Sequence, residues 1–243
     1  MGTASVLLAV SNAFHPSPEL MAAGCTSYAN VVQHTYATLG TLDFAGGALE
    51  WIVRLLYGQA EQSAVSPEIF AQALREAAEI PPGAHGAITI PSFLGSGTPY
   101  AQSSARGAML GLTPTHGRPE LVRALMEGLS FWLRDNIAMF YSLGIAPLKP
   151  EIAVIGGATQ AAPLLQIKAD ITGCPIKVPQ ITEAAATGAA LLAGIGANIF
   201  HSGEEAASSV LHTVQIYEPD TQAVERYNTI YEHTYLPARR RFI

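Results

Sequence analysis

EIAVIGGATQAAPLLQIKADITGCPIKV, residues 151–178, decides the fold class. Glu151–Ile155 reads as a strand, Gly156-Gly157 as a turn, Gln160–Thr172 as a helix and Pro175–Val178 as a second strand. Ala161, Leu164, Ile167 and Ile171 recur at three- and four-residue intervals, which gathers them on one helix face. Strand, tight turn, helix and strand in succession predict an α/β domain.

Upstream, ASVLLAVS (4–11) is uninterrupted and β-capable, then stopped by Asn12 and the Pro16/Pro18 turn, and it predicts a buried strand. Residues 26–42 alternate in character through Tyr28, Val31, Tyr36 and Leu39, enough for one or two more strands. Gly46-Gly47 opens a helix whose Leu49, Ile52, Val53 and Leu56 share a face. Ser66 followed by Pro67 marks the start of another helix near 67–79. Short strands are expected at Ala87–Ile90 and Ala108–Leu112, separated by the polar stretch LGSGTPYAQSSARG. Loops of that length inside a domain are usually functional. A long helix follows Pro119.

Downstream of the opening unit, Thr182 is an expected N-cap with Glu183 in the first turn. The uncharged run Ala184–Gly203 is too rich in Ala and Gly for a membrane span and predicts a closely packed, buried helix. A helix near 203–210, a strand near 212–217 and a helix near 219–233 complete the chain. Arg239, Arg240 and Arg241 read as a solvated tail.

The chain has 243 residues, about one and a half domains of ordinary size. Its composition is 49% apolar and 13% charged, well below the roughly 25% charged of an average domain. Disorder is excluded, and much surface is expected to be buried or covered by a partner. A net charge of −6 argues against nucleic acid or an anionic membrane as partner. Cys25 and Cys174 stand in no ligand spacing and read as reduced thiols of a cytoplasmic protein.

Glycine turns between strand and helix bring backbone N–H groups to an anion and let a nucleotide approach the chain closely. Two occur here, Gly2-Thr3 and Gly156-Gly157-Ala158. Either one alone is more simply read as what a strand needs to turn into a helix. No G-x-G-x-x-G, Gly-Lys-Ser/Thr, G-x-S-x-G or H-E-x-x-H pattern is present, which disfavours dinucleotide oxidoreductases, P-loop enzymes, serine hydrolases and zinc enzymes. Arg106 is a lone loop arginine, open to a carboxylate or a ligand phosphate.

Seven segments in order carry a more specific signal. They are GTAS (2–5), AGGALEW (45–51), IPSFLGSGTPY (90–100), ARGAMLGLT (105–113), EGLSFWLRD (127–135), IGGATQAAPLLQIKADITG (155–173) and TEAAATGAALLAGIG (182–196). Together they resemble the C-terminal half of the FGGY carbohydrate kinases, the group of xylulose, glycerol, ribulose and erythritol kinases. The resemblance implies an actin-like, ribonuclease H-like ATPase domain spanning residues 1–243, with ATP and Mg²⁺ as cofactors. It implies that Gly2 and Thr3 form a phosphate-binding turn and that Gly46 approaches the nucleotide phosphates. Gly156, Gly157 and Ala158 match the adenosine motif. Ala161 stands where relatives often carry an asparagine that touches adenine, leaving Gln160 as the substitute. Gln166, Asp170 and Glu183 match packing and capping positions. Ala101 and Gln102 replace an aromatic and an aspartate, so substrate contacts do not transfer to this loop.

Relatives are about twice as long, and the general-base aspartate, the metal-side carboxylates and most of the sugar site lie in their N-terminal half. No residue of this chain is therefore nominated as catalytic or as a metal ligand. The expected partners are ATP or ADP, a sugar or polyol, and an N-terminal kinase domain or subunit. Two readings stand: the ATP-binding half of a sugar or polyol kinase, or a non-catalytic nucleotide-binding or dimerisation module derived from one. An actin- or chaperone-like ATPase is a third, disfavoured by the order from GSGTPY to ARGAMLGLT. Without the N-terminal half, an uncovered apolar surface predicts homodimerisation or poor solubility.

Overall fold

The computed structural model of the protein describes residues 4–58, 64–181, 183–210 and 213–243. β1 (Ser5–Ser11), α1 (Pro18–Ala22), β2 (Thr26–Ala29) and β3 (Tyr36–Leu42) come first. Their strands form an antiparallel sheet in the order β1-β3-β2, with Leu8 opposite Leu39 and Tyr28 opposite Ala37. α2 (Gly46–Leu56) buries Leu49, Ile52 and Val53. α3 (Pro67–Ala78) begins as its sequence requires, with Ser66 Oγ accepting the Ile69 N–H at 3.3 Å and Pro67 in the first turn. β4 (Ile88–Ile90) and β5 (Ala108–Leu110) pair antiparallel across the polar loop.

α4 (Arg118–Ser142) leads into the strand–helix–strand unit made by β6 (Ile152–Ala153), α5 (Ala162–Thr172) and β7 (Ile176–Pro179). Its two strands are parallel. α6 (Ala184–Gly196) and α7 (Gly203–Ser208) follow, and β8 (Thr213–Tyr217) returns antiparallel to β7. α8 (Thr221–Ile230) runs through a π turn at Tyr231–Tyr235 into α9 (Leu236–Phe242). Pro237 has no N–H to give back to the preceding turn, and a widened turn just before it accommodates that loss. The architecture is mixed α/β, as residues 151–178 predict.

α4 passes through the middle of the core, with Leu125, Met126, Leu129, Phe131 and Trp132 all buried. Gly128 lets it press against β4, because a Cβ there would collide with the Thr89 carbonyl. Its polar residues are buried too, and other elements answer them. Arg123 Nε donates to Glu127 Oε1 at 2.8 Å, and Tyr227 Oη of α8 bridges the pair, accepting from Arg123 and donating to Glu127. The Gly83 N–H completes the Glu127 shell at 3.0 Å. Asp135 receives Arg239 Nη1 at 2.7 Å and the hydroxyl of Tyr231. Burial pushes both carboxyls above the usual range, and the facing guanidinium groups pull them back.

Three expectations need correction. β1 is not a buried strand: Leu7 and Ala9 face inward, while Val6, Leu8 and Val10 are 54%, 48% and 51% exposed. The helix expected to be buried at 184–203 is α6, which ends at Gly196 and buries only Gly194. Apolar composition set both expectations, but burial needs a partner surface, and among the described residues none covers the Val6–Leu8–Val10 face of β1 or most of α6. Arg239 is not part of a solvated tail. Its side chain is 13% exposed, bonded to Asp135 and stacked on the Tyr100 ring, while Arg240 and Arg241 are exposed. Both thiols are free; Cys174 is buried and Cys25 partly so, its pKa pushed up to about 11 by burial.

Arg123→Ala leaves a buried carboxylate without its counter-charge, so urea unfolding should register a loss of about 3–5 kcal/mol. Removing the α3 cap with Ser66→Ala should cost about 1 kcal/mol. Equal losses in the two variants would show that the pair is not a keystone of the core.

Candidate functional site

How the helices begin divides them into two groups. Ser17, Ser66, Ser202 and Asp220 cap α1, α3, α7 and α8 with a side-chain oxygen, and Glu120 folds back onto the Gly117 N–H at the start of α4. α1, α3, α4 and α7 also carry acidic residues in the first turn. α2, α5 and α6 have neither device: their N-cap residues Ala45, Ala161 and Glu183 make no side-chain cap bond, and no first turn holds an acidic residue. A helix start carries about half a positive charge and a set of unmatched N–H groups. At the starts of α2 and α5 no cap or acid offsets it, so an anion is the natural complement, whereas the α6 start has the Glu183 carboxylate beside it.

The position of these three starts has a topological cause. α2 follows β3, α5 follows β6 and α6 follows β7, so each begins beyond the carboxyl end of a strand. β6 and β7 are parallel, which puts the starts of α5 and α6 at the same end of their sheet. Ligands of open α/β sheets sit beyond these strand ends.

The turn between β6 and α5 is a 3₁₀ segment, Gly156–Gln160, closed by Thr159 Oγ1 donating to the Gly156 carbonyl at 2.8 Å. Gly156 has φ +73°, a left-handed conformation that favours glycine, and the space around it is open. Gly156, Gly157 and Gln160 are exposed, and Ala158 is partly so. Ala161 is fully buried in the apolar core, so its methyl group faces the protein interior. Gly46 is buried at the first position of α2. Gly2, Thr3 and Thr182 lie outside the described residues. The observed N-cap of α6 is Glu183, not a residue of the first turn as expected.

Other residues singled out from sequence have structural roles. Gln166 Nε2 donates to Asp170 Oδ1 at 2.8 Å and to the Glu218 carbonyl, and Asp170 accepts the Asp220 N–H at 2.9 Å, tying α5 to the start of α8. Arg106 is spent on the carbonyls of Ser103 and Ala105. Thr98 anchors the polar loop: its carbonyl accepts from Trp132 Nε1 and Asn136 Nδ2, and its N–H reaches Thr41 of β3. Ala101, Gln102, Ser103 and Ser104 stay exposed. Sequence reasoning missed the Asp135–Arg239–Tyr100 cluster that braces this loop, because its members are far apart in the chain and no local pattern marks them.

Two shallow grooves of about 300 and 230 Å³ lie between the β4–β5 region and the C-terminal helices, and neither is lined by the glycine turns. Among the described residues no group of three or more His, Cys, Asp or Glu side chains could hold a metal ion. No helix among them is long and apolar enough to cross a membrane.

Residues 1–197 match the model of the FGGY family of carbohydrate kinases, C-terminal domain. The chain belongs to this family. It is 32% identical to the xylulose kinase of Bacillus subtilis (strain 168) over 198 residues, which are 82% of this chain and 38% of that protein. The crystal structure of xylulose kinase from Rhodospirillum rubrum superposes with a TM-score of 0.81 at 27% identity, covering 98% of this chain and 45% of the other. Plasmodium falciparum glycerol kinase with ADP gives 0.80 at 25% identity, covering 100% and 46%. The fold is thus the actin-like ATPase domain found in the C-terminal half of FGGY kinases, and the chain spans less than half the length of these relatives.

Gly156→Ala should cost about 1–2 kcal/mol in urea unfolding, because the left-handed backbone penalises a Cβ even in open space. Gly188→Ala, in the open interior of α6, should instead gain up to about 1 kcal/mol. Effects of the same sign would contradict the backbone assignment of the 156–160 turn.

Proposed function

We propose that this chain is the nucleotide-binding half of a sugar or polyol kinase, acting in the cytoplasm with an N-terminal half that carries the catalytic base. The observation that carries the reading is the set of three helix starts without a side-chain cap beyond the carboxyl ends of β3, β6 and β7, of which those of α2 and α5 also carry no acid. The solved glycerol kinase that contains ADP, and to which the whole chain is similar, supports it.

The N–H groups at the start of α2, with Gly46 at its first position, would hold phosphate oxygens, joined by the Gly2-Thr3 turn. Gly156, Gly157 and Ala158 offer exposed backbone without bulk, against which an adenosine can lie. Gln160 is exposed beside them and supplies an amide for the adenine edge. Ala161 lends its backbone at the start of α5, since its side chain belongs to the core. The residues present thus fit ATP. Among the described residues no carboxylate cluster is set for Mg²⁺, so the metal would be held by the phosphates and the other half. When bound, MgATP supplies the γ-phosphoryl group that passes to a substrate hydroxyl. This chain's part is to fix the phosphates against helix starts, an electrostatic and positional contribution.

The alternative reading is a nucleotide-binding or dimerisation module, derived from such a kinase, that catalyses nothing by itself.

Calorimetric titration of the chain with MgADP should show saturable binding, and Gly157→Trp should weaken it at least tenfold. Absence of binding, or a Gly157→Trp variant that binds as well as the unaltered chain, would sink the nucleotide reading. Sugar-dependent ATP consumption that appears only when an N-terminal half is added would decide for the kinase over the module.

A further inference from the structure

The two grooves between the β4–β5 region and the C-terminal helices form one trough. Both are lined by Gly86, Ile88 and Thr234, and their volumes of about 300 and 230 Å³ follow one another along α8 and α9. Arg226, Ile230, Thr234, Ala238 and Phe242 recur at four-residue intervals, which keeps one helical ridge on the trough from end to end. At about 1.5 Å per residue that ridge extends for about 20 Å. These helices lie beyond residues 1–197, the part that matches the family model.

The opposite wall is strained. Gly83, Ala84, His85 and Gly86 have φ of +89°, +46°, +53° and +99°, four left-handed residues in succession, two of them carrying a Cβ. Such backbone is costly and persists only where its surroundings hold it, commonly at ligand sites. Here Glu127 holds the Gly83 N–H and Ala84 is fully buried, so the turn is fixed with His85 and Gly86 exposed at the trough. Gly111, after β5, presses onto the Gly86 carbonyl, and a Cβ there would collide with it. The helical wall has its own irregularity, the π turn that presents His233 and Thr234.

Charge points to the occupant. The chain has a net charge of −6, yet the trough is lined by Arg226, Arg241, His85 and His233 and by no Asp or Glu. Among the described residues neither of these arginines makes an ion pair or hydrogen bond, whereas Arg239 on α9 is bonded to Asp135. His85, 3.4 Å from Glu120, has the one ion pair of the lining side chains. Between the cations the surface is apolar, with Ile88, Leu110, Ile230 and Phe242. A compact polar anion would reach one cationic end and leave that surface unanswered.

We propose that the trough binds a linear amphipathic anion, an alkyl chain ending in a carboxylate or phosphate, taken from solution as a single molecule. Arg226 and His85 hold the head. The chain lies over Ile88 toward the other groove, where Leu110, Pro237, Ala238 and Phe242 gather and Arg241 adds its aliphatic stem. The site is separate from the nucleotide reading, because neither groove is lined by the glycine turns.

Calorimetric titration of the chain with dodecanoate and with dodecyl phosphate, both kept below micelle-forming concentrations, tests this. Each should saturate one site per chain. Dodecanol and inorganic phosphate should each bind at least tenfold more weakly. Arg226→Glu should weaken dodecanoate binding tenfold or more, and Arg226→Gln should act in the same direction without reversing the charge. Thermal melts of both variants verify the fold. Leu8→Asp, which removes exposed apolar surface elsewhere, should leave the affinity unchanged. Hydrogen exchange should show added protection at 108–111 and 226–242.

Absence of binding would overturn the proposal, and so would binding that both Arg226 variants leave intact. Dodecanol binding as tightly as dodecanoate would overturn it by removing the role of charge. Inorganic phosphate binding as tightly would reduce the trough to a plain anion site. Attachment to phosphatidylglycerol vesicles without binding of the single amphiphiles would assign the surface to a membrane instead. MgADP titration of the same samples keeps the two ideas apart, since nucleotide binding stands or falls independently of the trough.

Discussion

Arg123 and Glu127 face each other at 2.8 Å inside the protein, and removing two charges from water sets a condition that the surrounding elements must meet. Tyr227 of α8 and the Gly83 N–H meet it, so the loop after α3 and the C-terminal helices are held to α4 by the same carboxylate. Asp135 imposes a similar condition two turns further on, met by Tyr231 and Arg239. With these charges matched, α4 can be buried for most of its length. The first sheet, the β4–β5 pair and α5 then have a common surface to pack on.

The site depends on that bed without belonging to it. α2, α5 and α6 leave the carboxyl ends of strands whose inner faces are fixed, and their starts lack the side-chain caps found on α1, α3, α7 and α8. The shared feature is an omission: where Ser17, Ser66, Ser202 and Asp220 satisfy local N–H groups, the site leaves those groups unsatisfied. On the proposed reading, a binding surface made this way is shallow until a second body closes over it. That agrees with a chain matching its relatives over nearly its full length while spanning less than half of theirs.

Features whose cause lies within a few residues were legible in the sequence. Ser66-Pro67 marks its helix, the Leu49–Ile52–Val53 stripe marks α2, and residues 151–178 define the α/β class, because caps, periods and tight turns are local physics. The glycine turn at 156–157 was legible for the same reason. What failed to show was anything set by distant contacts. Val6, Leu8, Val10 and the alanines of α6 look like core residues by composition, yet composition does not say what covers them. Arg239 looks like its solvated neighbours Arg240 and Arg241, and only the fold reveals Asp135 opposite it. The contrast between capped and uncapped helix starts was hidden too, because a serine near a helix start is a cap only when its oxygen reaches the right N–H.

The sequence separation of these buried pairs has a consequence for the chain as it is made. Glu127 meets Tyr227 across 100 residues, and Asp135 meets Arg239 across 104. At a ribosomal pace of about 5–20 residues per second, α4 waits roughly 5–20 s between its own synthesis and the arrival of Tyr227 and Arg239. Throughout that interval an apolar helix carries an Asp135 whose counter-charge is not yet made and an Arg123–Glu127 pair without its bridging hydroxyl, and it has no stable place to be. The domain is therefore obliged to fold late and all together, and the nascent chain becomes a natural client for whatever shields exposed hydrophobic segments in the cell.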